Sequence, residues 1–513
     1  MKFIPKSSLL SVVLAALLVS TTGAVLGCRG LMNDSHAQQK GPIIQLDKSG
    51  DLQAAINRAR PGDTIILQAG AIYTGPFTLP VKNGSEYITI QSSRASELPE
   101  GVRVSPSQAA LFAKLQSAEK SAAIVKTQPG AHHFKFVGIE FSTADENVVV
   151  HDLIRFGEAA TQTTLDVVPH HLIIDRSYIH GFESQEVQRG VSLNSAETSV
   201  TNSWISEIHG KGYDTQAICG WNGPGPFKII NNYLEGSGEN IMFGGSDPSI
   251  PNLIPADIEI RGNYLFKPLS WKQGDPSYAG RHWSVKNLFE LKSARRVVID
   301  GNIFENNWVD AQAGSAILFT VRNQDGHAPW TTIEDVTFTN NILKNSPSAI
   351  NLLGKDDLQP SQRAARIKIT NNFISGISGT FLTLMGYVDV TISNNTHLQS
   401  GNIMTLYGDP SPGFVYENNI TVRDPKGYGV KGDATGEGTI ALAQFTPGAV
   451  FRNNVIVGAN ASQYPAGNAY PSSISDVGFT NPEAGDYRLS SRSRFKAGCD
   501  FARLPTLPNA PLR

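Results

Sequence analysis

A short pattern recurs down this chain, and it constrains the fold more than any other feature. An alternating strand runs into a small polar residue or an Asn pair, then into two or three apolar positions. It reads Ile-Ile-Asp-Arg-Ser-Tyr-Ile at 173–179, Lys-Ile-Ile-Asn-Asn-Tyr-Leu at 228–234 and Val-Ile-Asp-Gly-Asn-Ile-Phe at 298–304. Later copies are Thr-Phe-Thr-Asn-Asn-Ile-Leu at 337–343, Lys-Ile-Thr-Asn-Asn-Phe-Ile at 368–374 and Val-Phe-Arg-Asn-Asn-Val-Ile at 450–456. Aligned on the second small residue, the anchors are Gly138, Ser177, Ser203, Asn232, Asn263, Asn302, Asn341, Asn372, Asn395, Asn419 and Asn454. Their spacings are 39, 26, 29, 31, 39, 39, 31, 23, 24 and 35 residues. The shortest is a bare coil, and the longer ones are coils with loops added. Such periods, with strand signals, mark a solenoid. The pattern predicts an all-β, single-stranded, right-handed parallel β-helix. Asn tolerates left-handed backbone at the bend, and its amide can bond the Asn of the next coil.

A solenoid end exposes a sheet edge and needs a cap. Residues 51–59 read as a short amphipathic capping helix with Leu52, Ala55 and Ile56 on one face. Residues 98–126 interrupt the coils, with a helix expected near Gln108–Ser117, and Gly485-Asp-Tyr-Arg-Leu489 onward reads as the C-terminal cover. The domain is placed at 43–500, with a tail at 501–513. Hydrophobic residues make up 40% of the 513, enough for a large core, which excludes wholesale disorder. Forty-three basic residues against 45 acidic ones, with no basic block, argue against a nucleic-acid binder.

The N-terminus reads as an export signal over 1–27. Lys2 and Lys6 flank a basic start, and Leu9 to Val19 is apolar. Val25-Leu26-Gly27-Cys28 resembles a bacterial lipobox with Cys28 lipidated; the alternative is cleavage near 37, after Ser35-His36-Ala37. Residues 28–42 would be a linker. The expectation is an exported monomer, cell-envelope or secreted, touching membrane only through that lipid. Cys219 and Cys499 then remain, and no disulfide is assumed.

The helix-turn-strand opening at 51–67, the Asn-Asn coils, and Phe479-Thr-Asn-Pro-Glu with Gly485-Asp-Tyr-Arg-Leu resemble the pectin-lyase-like right-handed parallel β-helix superfamily. The resemblance spans about residues 43–500. It implies mostly lyases, hydrolases and epimerases of acidic polysaccharides, with some non-catalytic surface proteins.

Each coil has a second strand about halfway between anchors. Strict alternation gives the triplets Ala217-Ile-Cys219, Ile241-Met-Phe243, Phe289-Glu-Leu291, Phe319-Thr-Val321 and Ile350-Asn-Leu352, with the outer two residues inward. Glu290 and Lys292 then face out, Thr320 and Arg322 hold the same positions one coil on, and Lys292 stands beside Arg322. Two adjacent cations would lower the lysine pKa and leave a neutral amine, which proton abstraction beside a uronate carboxylate requires. Trp271, Trp283 and His282 fall in the long loop before this pair, and Asn323, Asp325 and His327 in the loop after it. These six are the expected substrate contacts. Trp204 reads as core, and His132-His133 as strand-edge surface.

Glu290-Leu-Lys292-Ser293, then Asn302-Ile-Phe304, then Arg322 resemble the chondroitinase B and alginate lyase family. There a lysine base and an arginine stand on successive coils beside calcium held by Asn and Glu. The family's acidic pair falls where this chain has Val285 and Asn287. Glu239, Asn240 and Glu290 are the expected calcium ligands instead. The reading is a polysaccharide lyase acting by β-elimination on a uronate polymer, with Lys292 as base and Arg322 and Glu290 beside it. The alternatives are a hydrolase using Asp214 with Asp247, or a non-catalytic glycan-binding surface protein.

Overall fold

Each Asn pair ends a strand of one sheet and starts a strand of the next. Ile333–Thr339 leads through Asn340 and Asn341 into Ile342–Ser346. The computed structural model describes residues 41–507. Within them the chain winds through three sheets of 14, 13 and 13 strands. Every pairing in them is parallel except the last, between Val430–Gly432 and Gly436–Glu437. Parallel crossovers in one sheet are right-handed in nearly all cases, and the fold is the right-handed parallel β-helix. The signal segment 1–27, Cys28 and the cleavage site near 37 lie outside the described residues. So do the linker 28–42 up to residue 40 and the tail from 508.

The two residues of the pair divide two tasks. The first adopts left-handed backbone: Asn231, Asn340, Asn371, Asn394, Asn418 and Asn453 all have φ between 54° and 57°. The second makes the ladder. Asn263 donates its backbone N–H and its Nδ2 to Oδ1 of Asn302, at 2.9 and 3.0 Å, and Asn302 repeats this on Asn341. The same double bond continues through Asn372, Asn395, Asn419 and Asn454. These amides are buried, so an unmade bond would be costly. At the first anchor, Gly138 takes the left-handed place, and Ile139 supplies the N–H that reaches Ser177 Oγ.

The capping helix is Leu52–Arg58, with Asp51 accepting from the Ala54 N–H and Leu52, Ala55 and Ile56 buried. Three expectations change. Only Pro106–Leu111 is helical, as a 3₁₀ turn, and Ala113–Ser117 is a strand because its alternate residues enter the core. Trp204 is buried, but on the outer face of the third sheet. It stacks on Tyr233 at 3.7 Å, under Leu98, Val104 and Phe112 from the 98–112 insertion. The C-terminal end is closed by an unforeseen helix, Thr439–Phe445, which buries Ala441, Leu442 and Phe445 in the main core. The tail instead packs Val477 and Phe479 against Ile420, Val455 and Val457 on the flank.

Candidate active site

The second sheet does not alternate strictly. Each coil places two consecutive residues in the core: Leu153-Ile154, Ala217-Ile218, Leu288-Phe289, Ala316-Ile317 and Ala349-Ile350. The residue on either side faces out. Two outward rows result, with stacked strands about 4.8 Å apart. One runs Asp152, Arg189, Gln216, Glu239, Asn287. The other runs Lys126, Arg155, Ser192, Cys219, Met242, Glu290, Leu318, Asn351.

This out-in-in-out order overturns three sequence expectations. Ile218 points in and Cys219 out, because a one-residue slip exchanges the faces. Glu239 faces out and Asn240 in: the Asn240 amide donates to the Leu234 and Phe266 carbonyls of the third sheet, at 2.7 and 3.0 Å. Leu318, not Thr320, lies opposite Glu290. Arg322 therefore falls past the strand end. Its N–H still donates to the Lys292 carbonyl at 3.0 Å, but its guanidinium bonds Asp356, at 3.1 Å, and Asp357. The repulsion between free cations that was to activate Lys292 is not built.

A polar cluster occupies the outer face instead. Lys286 Nζ lies 2.6 Å from Asp214 Oδ2 and 3.6 Å from Glu239 Oε1. Gln216 donates to Glu239 at 2.8 Å, and Asn287 donates to Glu290 at 3.0 Å. Lys292 Nζ stands 3.8 Å from Glu290 Oε1, and its side chain is 13% exposed. Burial pushes the Glu239 carboxyl up to about 7, helped by Glu290 and Asp214 and opposed by Lys286. A carboxyl near neutrality can carry a proton in either direction. Behind it, Lys267 is wholly buried and donates to the carbonyls of Gly236, Ser237 and Gly238; burial lowers its pKa. It pins the turn that delivers Glu239.

The expected calcium ligands do not fit one site. Glu239 and Glu290 share the outer face, while Asn240 is turned into the coil. The Lys286 ammonium already answers the charge of Asp214 and Glu239.

Next to the cluster lies a cleft of about 360 Å³ that sequence reasoning missed. Asp152, Arg155, Arg189, Trp221 and Asp247 help line it. The Arg189 guanidinium lies 5.1 Å from the Trp221 ring centre. Asp152 holds Arg155 at 2.8 Å and Ser192 at 2.5 Å. Cys219, beside Ser192, is a buried free thiol, and burial pushes its pKa up. A signal was present: Asp152-Leu-Ile-Arg155 has the spacing of Glu239 to Met242 and of Asn287 to Glu290. The strict two-residue period concealed it.

The expected substrate contacts divide. Trp271 and Trp283 are 3% and 2% exposed and form a small core with Val285 and Trp308. Trp283 stacks on His209 at 3.9 Å. They shape the loop rather than meet a ligand. Asn323 is also buried: its amide donates to Pro360 and its Oδ1 accepts from Ala328 N–H, so it ties its own loop together. His282 is half exposed and bonded to Asp310 at 2.6 Å. Asp325 and His327 are exposed, and both backbone N–H groups donate to Asp247, which lines the cleft.

No family model and no curated protein sequence matches the chain. Solved structures do. The PL6 family alginate lyase AlyGC is similar at a TM-score of 0.50 and 14% identity, over 90% of this chain and 58% of AlyGC. The chain thus spans under two thirds of that protein. The catalytic unit of the GH87 α-1,3-glucanase from Streptomyces thermodiastaticus strain HF3-3 is similar at 0.54 and 12%, over 85% of this chain and 69% of the other. At these identities the likeness establishes the shared β-helix.

Proposed function

We propose that the protein is an exported, carbohydrate-active enzyme that cleaves a uronate-containing polysaccharide by β-elimination along the outer face of the second sheet. The observation that carries this is that a basic, aromatic cleft and a Lys–Glu cluster share one outer face. The Arg155 and Arg189 cleft with its Trp221 wall leads to Glu239, Lys286, Glu290 and Lys292. Arginines recognise carboxylates, and an aromatic face suits a sugar ring. Elimination needs a base for the C5 proton, a positive charge at the uronate carboxylate, and a proton for the leaving oxygen. Lys292 is assigned the first role. Lys286 is assigned the second, since a protonated Glu239 leaves Asp214 as its close charge partner. Glu239, which has no exposed surface and is protonated up to about pH 7, is assigned the third by relay through Lys286, 3.6 Å away. Arg322, engaged with two aspartates, holds the neighbouring loop. The similarity to an alginate lyase on the same fold supports this reading.

A hydrolase is the second reading. Glu239 and Glu290 share a face, and the Glu239 carboxyl is raised toward neutrality, as in a glycosidase acid paired with a carboxylate base. The glucanase of the same fold supports it. Incubation with alginate, pectate, chondroitin, dermatan and heparin tests both. Ultraviolet absorbance from unsaturated uronate on one polymer is expected. New reducing ends without absorbance would replace the lyase by the hydrolase.

A further inference from the structure

Four histidines meet on two successive strands of the first sheet, His132–Val137 and His170–Asp175. His132 is in register with His170. His133 and His171 have φ of 58° and 54°, so both members of each pair project outward at the corner. The rings stack across the coils, His132 on His170 at 4.8 Å and His133 on His171 at 4.2 Å. Within each pair, Nδ1 approaches Nδ1 at 2.7 Å. Each such contact needs one ring to donate and the other to offer a lone pair. His171 Nε2 lies 2.7 Å from Glu197, which places the proton on Nε2 and leaves Nδ1 as the lone pair. Ligand atoms of His133, His170 and His171 all lie within 4.8 Å of one another, and all four rings are partly open to solvent.

We propose that His133, His170 and His171 bind one divalent transition-metal ion, of the zinc, nickel or copper type, between two coils of the solenoid. Imidazole nitrogen suits these ions, and a carboxylate on the far nitrogen of a ligand histidine is their usual support. The ion replaces the proton shared between rings, and Glu197 orients His171. Histidine binds such an ion through the lone pair of its neutral ring. A bound ion clamps the two coils.

Titrating zinc chloride into the full chain without a histidine tag, by calorimetry, tests the site. One ion per chain is expected. His133→Ala and His171→Ala should each abolish it, and Glu197→Gln should weaken it about tenfold. A second readout needs no variant. Acylation of histidines by diethyl pyrocarbonate, mapped by mass spectrometry, should be blocked by zinc at His133, His170 and His171. No saturable binding, undiminished binding in the two alanine variants, or protection confined to other histidines would overturn the proposal.

Discussion

Lys286 Nζ stands 3.6 Å from Oε1 of Glu239, a carboxyl with no exposed surface. Burial, helped by Glu290 and Asp214, raises the Glu239 pKa against the pull of that ammonium. The folded pKa of about 7 exceeds the usual glutamate value of about 4.3. The stability that it contributes is complete below the unfolded value and is lost as pH rises through about 7. Glu239→Gln removes that loss. Relative to wild type, the variant should gain on the order of 2 kcal/mol between about pH 5 and pH 8.5. Urea denaturation at both pH values checks this, and a difference that does not move with pH contradicts it.

The Trp221 wall and the Trp283 loop core should respond differently. Trp221→Ala removes a partner of Arg189 in the cleft and should raise KM about fivefold with little loss of stability. Trp283→Ala empties a loop core and should cost about 3–5 kcal/mol. Thermal unfolding beside substrate titration separates the two.

Asn302 sits mid-ladder. Asn302→Ala leaves the buried Asn263 N–H without its acceptor and removes one of the two donors to Asn341 Oδ1. A loss of about 3 kcal/mol is expected in chemical denaturation. A loss under about 1 kcal/mol would show that the ladder is not a source of stability.

Arg322 holds a loop. Arg322→Ala frees Asp356 and Asp357, two carboxylates that would then repel. It should lower the melting temperature and change kcat less than tenfold. A larger fall in kcat with an unchanged melting temperature would return Arg322 to the reacting atoms.

The solenoid was legible because one side chain per coil must repeat for the ladder to close, so Asn302, Asn341 and Asn372 announce themselves. The N-terminal cap was legible for a similar reason, with Asp51 and the Leu52, Ala55, Ile56 face in their ordinary helical places. The second sheet was harder. Its paired core residues, such as Leu288-Phe289, break the two-residue period, and assuming that period moved Asn240 and Ile218 to the wrong face. Arg322 slipped along the strand because Ile317, Phe319 and Val321 are all inward, and alternation alone does not say which two stand level with Phe289 and Leu291. The cleft at Arg155 and Arg189 stayed hidden because its parts lie on separate coils. The histidine pairs were visible, but their convergence depends on left-handed backbone at His133 and His171.

The most direct test of elimination on this face is the ultraviolet time course of wild type and Lys292→Ala on whichever uronate polymer wild type cleaves. The Lys292 side chain lies on the outer face, so circular dichroism of the variant should be unchanged. The expected rate is at least about a hundredfold lower, the scale of a lost proton-transfer group. A folded Lys292→Ala protein that raises the absorbance at the wild-type rate would contradict it.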